Sequence, residues 1–165
     1  MRKIFCTCLL FVFVAVKLHA QNLPQFDHIK LATKKDFKQA DTTVSQISTY
    51  ILTTPINQDT AKRLAAAQFL MKWMEGTVDY TFVINENNTK PFINNINLMA
   101  VYMAALCKTA LQYKPGVASK KINLNATKLL IGYINNPANN VQHTQELKDL
   151  NEANDKGELE SFLNL

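Results

Sequence analysis

Residues 59–76 of the chain read DTAKRLAAAQFLMKWMEG, and this stretch decides the fold. It has no proline, and its apolar side chains recur at the spacing of three and four that a helix requires. We expect a helix from Asn57 or Asp59 to Gly76, where glycine suits the left-handed position past a helix end. Its predicted inward residues are Ala61, Leu64, Ala67, Leu70, Met71 and Met74, with Ala65, Phe69 and Trp73 on other sides. Such a broadly apolar helix is predicted to be the central, most buried element.

Other helical patterns lie on both sides of this segment, and prolines separate them. One helix is predicted from Thr33, whose side chain can cap the amide of Asp36, to Thr53. Another is predicted to open at Thr89-Lys90-Pro91 and to end at Tyr113. A fourth spans about 118–135, and Gly132 within it suggests a tight crossing with another helix.

Residues 80–84, YTFVI, are β-branched and aromatic, and they follow a helix end. The sequence contains no second run of this kind that could pair with it as a strand. A loop fixed in place is therefore favoured over a sheet. The expected fold is therefore all-α: a compact bundle of four to five helices with one extended segment near 80–84.

The first twenty residues have the pattern of an export signal. Arg2 and Lys3 form the positive start, an apolar run spans 9–16, and Ala20 precedes the expected cleavage site. The apolar run is too short to cross a bilayer, which takes ~20 residues. We expect cleavage of 1–20, no stable membrane insertion afterwards, and a periplasmic or secreted product, 21–165, that forms a single helical domain.

Charge is uneven along the predicted product. Cleavage would remove three basic residues and lower the net charge from +5 to +2, and residues 141–165 would carry six acidic and two basic side chains. We hypothesise that this weaker, acidic C-terminal helical segment lies against one of two lysine groups, although both surfaces could simply be solvated. The groups are Lys30, Lys34, Lys35 and Lys38, or Lys120, Lys121 and Lys128.

The lysines do not indicate nucleic-acid binding. The predicted product has a small net charge and keeps one arginine, Arg63, whereas phosphate and base recognition relies on arginine forks. Arg63 is interpreted first as an (i, i+4) partner of Asp59, with an anion-binding role as the alternative.

The densest polar and aromatic cluster runs from Trp73 to Tyr80. Glu75 and Asp79 could act there as acid and base or, with Trp73 and Tyr80, hold a sugar. The alternative is a helix terminator in which Gly76 reverses the chain, Thr77 and Asp79 bond the turn, and the two aromatic rings are buried.

Residue spacing predicts no metal site and no cofactor. His28 and His143 have no second ligand at a metal-binding spacing, and Cys107 falls on an apolar helix stripe as an inert core thiol. Four dispersed glycines cannot form a phosphate-binding loop.

Three functions follow, with no catalytic residue assigned. The expected one is a non-enzymatic binding or protein-interaction module, whose partner is an unknown protein or small ligand. The second is a small exported hydrolase or carbohydrate-binding protein that uses the Trp73–Tyr80 loop. The third is an inhibitor or immunity-type partner of another exported protein, with the acidic tail docking a basic target. Sequence leaves the oligomeric state open.

Overall fold

The computed structural model describes residues 23–165, which form eight α-helices with no strand among them. The predicted export signal, 1–20, lies outside the described residues. The helices are α1 Lys34–Gln39, α2 Asp41–Thr53, α3 Thr60–Gly76, α4 Glu86–Thr89, α5 Ile96–Ala110, α6 Ser119–Asn135, α7 Gln145–Asp155 and α8 Leu159–Phe162, with a 3₁₀ turn at Pro137–Asn139. The predicted all-α bundle is confirmed, and residues 80–84 belong to neither a helix nor a strand.

Helix α5 is the central element, and the prediction that α3 is the most buried was wrong. Ten of the fifteen residues of α5 are buried, against six of seventeen in α3, and α5 packs on α2, α3 and α6. Met71 of α3 is 41% exposed, while Arg63 takes an inward position. The buried face of α3 runs through Ala66, Phe69, Leu70 and Trp73, and Arg63 extends it, so it is rotated from the predicted stripe.

The predicted helix 33–53 is divided at Ala40 into α1 and α2. The predicted cap is confirmed: Thr33 Oγ1 accepts from the Asp36 N–H at 3.3 Å, and the Asp36 carboxylate accepts from the Thr33 N–H. At Ala40 the backbone tightens, with its N–H donating to both the Asp36 and Phe37 carbonyls, and helix geometry restarts at Asp41. Val44, Ile47 and Ile51 then pack in the core.

The third predicted helix opens later than expected and closes earlier. Thr89 does not cap it, because its hydroxyl donates to the Asn85 carbonyl within the short α4. Asn95 is the cap instead, its side chain accepting from the N–H groups of Asn97 and Leu98, and α5 ends at Ala110 instead of Tyr113.

The C-terminal helices pack on α6 through apolar side chains. Leu150, Leu159 and Leu163 form a buried cluster with Ile131, and Leu147 joins the main core. One ion pair supports this contact, between Lys120 Nζ and Glu160 Oε2 at 2.9 Å. The tail therefore lies beside the second of the two predicted lysine groups, held there mainly by burial of apolar area.

Candidate functional site

The two aromatic residues of the predicted Trp73–Tyr80 site lie inside the protein. Trp73 is fully buried, its Nε1 donates to the Phe37 carbonyl at 3.0 Å, and its ring lies 6.1 Å from that of Tyr80. Tyr80 is also buried, and its hydroxyl donates to the Tyr113 carbonyl at 3.1 Å. Both polar atoms are thus occupied by backbone acceptors that fasten α3 to α1 and the 80–84 segment to the end of α5.

The carboxylates of this loop have different surroundings. Asp79 Oδ2 lies 2.7 Å from Lys38 Nζ, which also contacts Asp41 at 3.0 Å, and the hydrogen bond to Asp79 raises the pKa of Lys38. Glu75 is exposed and makes no hydrogen bond or ion pair with any described residue. The structure therefore pairs Asp79 with a lysine of α1, and it shows no contact that joins Asp79 to Glu75.

The chain leaves α3 without a left-handed residue. Gly76 is the last helical residue and has no positive φ, so the predicted reversal by glycine was wrong. A Cβ at this position would overlap the ring of Phe37, so glycine lets that ring lie directly against α3. The rest of the terminator interpretation agrees with the structure: Thr77 Oγ1 accepts from the Asp79 N–H at 3.4 Å above the buried rings.

Arg63 is far from that loop, at the opposite end of α3, and it is fully buried. Its Nη1 donates to the carbonyls of Ile51 and Thr54, at 2.8 and 2.9 Å, and its Nη2 donates to the Tyr133 hydroxyl at 3.4 Å. The predicted ion pair with Asp59 was wrong, because the guanidinium binds the C-terminal carbonyls of α2, where a helix favours a cation. Burial lowers the pKa of Arg63, which stays charged at neutral pH.

A surface that sequence patterns did not predict lies on the connection between α3 and α5. The structure describes eight large hydrophobic residues that are exposed, and five of them fall within residues 78–96: Val78, Val83, Ile84, Ile93 and Ile96. We call these five the 78–96 surface. Ile93 is 51% exposed and Ile96 is 65% exposed. Ile96 is the first residue of α5, directly after the cap Asn95, and its side chain is exposed there.

Polar residues of the same connection are buried beneath its aliphatic ones. Asn88 is fully buried, with its Nδ2 donating to the Val83 carbonyl at 2.7 Å and its Oδ1 accepting from the Asn85 N–H at 3.0 Å. Asn123 of α6 donates to the same Val83 carbonyl at 2.6 Å. These bonds hold the Val83 carbonyl and the buried Asn88 against the bundle, while the neighbouring Ile84 side chain stays exposed.

Residues 23–165 contain no group of three His, Cys, Asp or Glu side chains placed to hold a metal ion. His28 and His143 are both exposed, and Cys107 is fully buried, which raises the pKa of its thiol. None of the described helices is long and apolar enough to cross a membrane. Comparison with known proteins gave no match to this chain among family models, curated proteins or solved structures.

Proposed function

We propose that this protein is an exported, non-enzymatic binding module whose 78–96 surface is recognised by another exported protein. The observation that carries the proposal is that five of the eight exposed large hydrophobic residues of the described chain lie within residues 78–96. Ile84, Ile93 and Ile96 face solvent there, whereas Asn88 and Thr89 are buried. Exposed aliphatic side chains that form a patch mark interaction sites, whereas single ones scattered over a surface do not.

The energetics favour a partner with an apolar patch of its own. Covering exposed aliphatic area contributes about 25 cal/mol per Å². The hydrogen bonds of Asn88 and Asn123 to the Val83 carbonyl hold the connection in place beforehand, so little ordering would remain for the binding step. The predicted signal at 1–20 supplies the export part of the proposal, and a partner is accordingly sought outside the cytoplasm.

The test is co-purification from the extracytoplasmic fraction of cells that make this protein, followed by quantitative mass spectrometry. The double variant Ile93→Ser/Ile96→Ser removes two of the five exposed side chains of the surface, and Met71→Ser is the control on α3. We expect a partner that is retained by wild type and by Met71→Ser and is depleted at least tenfold with the double variant. Equal recovery with all three proteins contradicts the proposal.

The inhibitor-type alternative has one supporting observation. Leu147 and Leu150 are buried against the bundle, so Glu146 and Asp149 of α7 face outward and could meet a basic target. The double variant Glu146→Gln/Asp149→Asn tests the acidic tail in the same experiment. If this variant depletes the partner and Ile93→Ser/Ile96→Ser does not, the acidic tail is the binding surface. The hydrolase alternative stays a prediction.

A further inference from the structure

We infer that a cleft between α2 and the C-terminal half of α6 binds a small carboxylate with an apolar body, and that Lys128 receives the carboxylate. The cleft has a volume of about 260 Å³ and is lined by Leu52, Lys128, Leu129, Gly132, Tyr133, Asn136 and Asn139. None of these residues belongs to the 78–96 surface, so this site is independent of the proposed protein-binding function.

Gly132 is the residue that first points to a ligand. It lies inside α6, where glycine is less favourable than any other residue except proline. It has no positive φ, and a Cβ at this position would meet no described atom within 4 Å. The predicted tight helix crossing at Gly132 was therefore wrong, and neither backbone conformation nor packing requires glycine here. Because Gly132 has no side chain, the floor of the cleft stays open.

The wall beside Gly132 is held rigidly in place. The Tyr133 hydroxyl donates to the Thr54 carbonyl at 2.8 Å and accepts from Arg63, and Asn139 Nδ2 donates to the Tyr133 carbonyl at 2.8 Å. Leu129 is 39% exposed. Tyr133 is only 4% exposed, so the cleft presents mainly aliphatic surface, and the hydrogen-bonded wall behind it does not have to rearrange before a ligand binds.

Two cations bias the cleft toward an anion. Lys128 is exposed and forms no ion pair within the part of the chain that the structure describes. Arg63 lies behind Tyr133, and its partners are carbonyls instead of a carboxylate. Lys128 is also two turns from the C-terminus of α6, beyond the reach of the negative end of the helix dipole. The carboxylate is therefore expected at Lys128, with the apolar body over Gly132.

The volume limits the ligand to a small molecule. It equals roughly nine water molecules at ~30 Å³ each, the space of a short acyl or single-ring acid. Phenylacetate is a suitable probe, and phenylacetamide is its uncharged counterpart. Amide chemical shifts of the purified protein, followed during titration, report both where each probe binds and how tightly.

We expect phenylacetate to shift the amide signals of residues 128–139 and to bind at least fivefold more tightly than phenylacetamide. Lys128→Gln should remove that preference and leave phenylacetamide binding unchanged. Lys121→Gln, on the same face two turns earlier, should leave both affinities unchanged. Gly132→Leu should weaken both probes at least tenfold, because its side chain fills the floor.

The amide spectrum itself shows whether each variant is folded. Equal affinity for the two probes, an unchanged preference in Lys128→Gln, or shifts confined to other residues overturns the inference. So does the lack of any shift at about 50 mM phenylacetate, a concentration at which a site of even weak millimolar affinity is filled.

Discussion

At the scale of single residues, Arg63 shows how a buried cation can be held without a carboxylate partner. Its guanidinium binds the Ile51 and Thr54 carbonyls at the end of α2 and the Tyr133 hydroxyl of α6. Arg63→Met leaves the Ile51 carbonyl without its side-chain donor, whereas the Thr54 carbonyl keeps the bond from the Tyr133 hydroxyl. We expect the free energy of unfolding to fall by about 1–3 kcal/mol. Urea denaturation measures the change. Lys62→Met, an exposed neighbour, should change stability by less than about 0.5 kcal/mol, and equal stability of the two variants contradicts this role of Arg63.

Two glycines give opposite expectations for the same substitution. Gly76→Ala places a methyl group against the ring of Phe37 and should destabilise the protein by about 1–3 kcal/mol. Gly132→Ala adds a methyl group in open space within a helix and should stabilise it by up to about 1 kcal/mol. Thermal unfolding of the two variants checks the signs. A loss of stability in Gly132→Ala would mean that glycine is needed there for the backbone.

At the scale of elements, the burial of α5 predicts how stability depends on pH. Burial raises the pKa of the Cys107 thiol above its ordinary value of 9.0, and it raises the pKa of Tyr102 from 10.0 to about 12. Both groups therefore stay protonated in the folded chain at pH values where they ionise in the unfolded chain. Their stabilising contribution is complete below the unfolded pKa and is lost as the pH rises.

Denaturation by urea between about pH 8 and pH 11 tests this dependence. We expect stability to begin falling near pH 9.0, the ordinary pKa of the thiol. In Cys107→Ala the decline should begin about one unit higher, near the ordinary tyrosine pKa of 10.0. An onset at the same pH in both proteins contradicts the burial of Cys107.

Sequence patterns predict a helix well when the residues that fix its start and end lie within the helix or next to it. The start of α1 at Thr33 and the span of α6 are set by local signals, and both were predicted within a residue. Apolar residues lie around much of α3, so periodicity alone did not identify the face that carries Ala66, Phe69 and Trp73 as the buried one. The start of α5 depended on a choice between the caps Thr89 and Asn95, and the bond from Thr89 to Asn85 decided it.

At the scale of the whole molecule, the C-terminal segment is part of the bundle by virtue of its leucines. A chain ending before Val141 would expose Ile131 on α6 and lose buried Leu147, Leu150, Leu159 and Leu163. We expect its melting temperature to fall by more than 10 °C at low and at high salt alike, because the contact is mainly apolar. Lys120→Gln, which breaks the single ion pair, should change stability by about 0.5 kcal/mol or less. A truncation effect that disappears at high salt would assign the contact to charge instead.

Sequence patterns predicted the candidate sites less well than they predicted the fold. Trp73, Tyr80 and Arg63 are residue types that serve binding sites, yet the structure engages the Trp73 Nε1, the Tyr80 hydroxyl and the Arg63 Nη atoms in internal hydrogen bonds. The 78–96 surface depends on consecutive turns between Asn85 and Asn95 that orient Ile93 and Ile96 outward. Such turns follow from side-chain bonds to the backbone, and helical periodicity carries no information about them.

Site-specific photo-crosslinking in cells that make the protein tests the proposed binding surface most directly. A photoreactive amino acid is placed at Ile93 or at Ile96, and at Met71 as the control exposed apolar position on α3. We predict that Ile93 and Ile96 crosslink to the same exported protein and that Met71 does not. The absence of a shared crosslinked partner at Ile93 and Ile96, or equal crosslinking from Met71, would contradict the proposal that the 78–96 surface binds a protein.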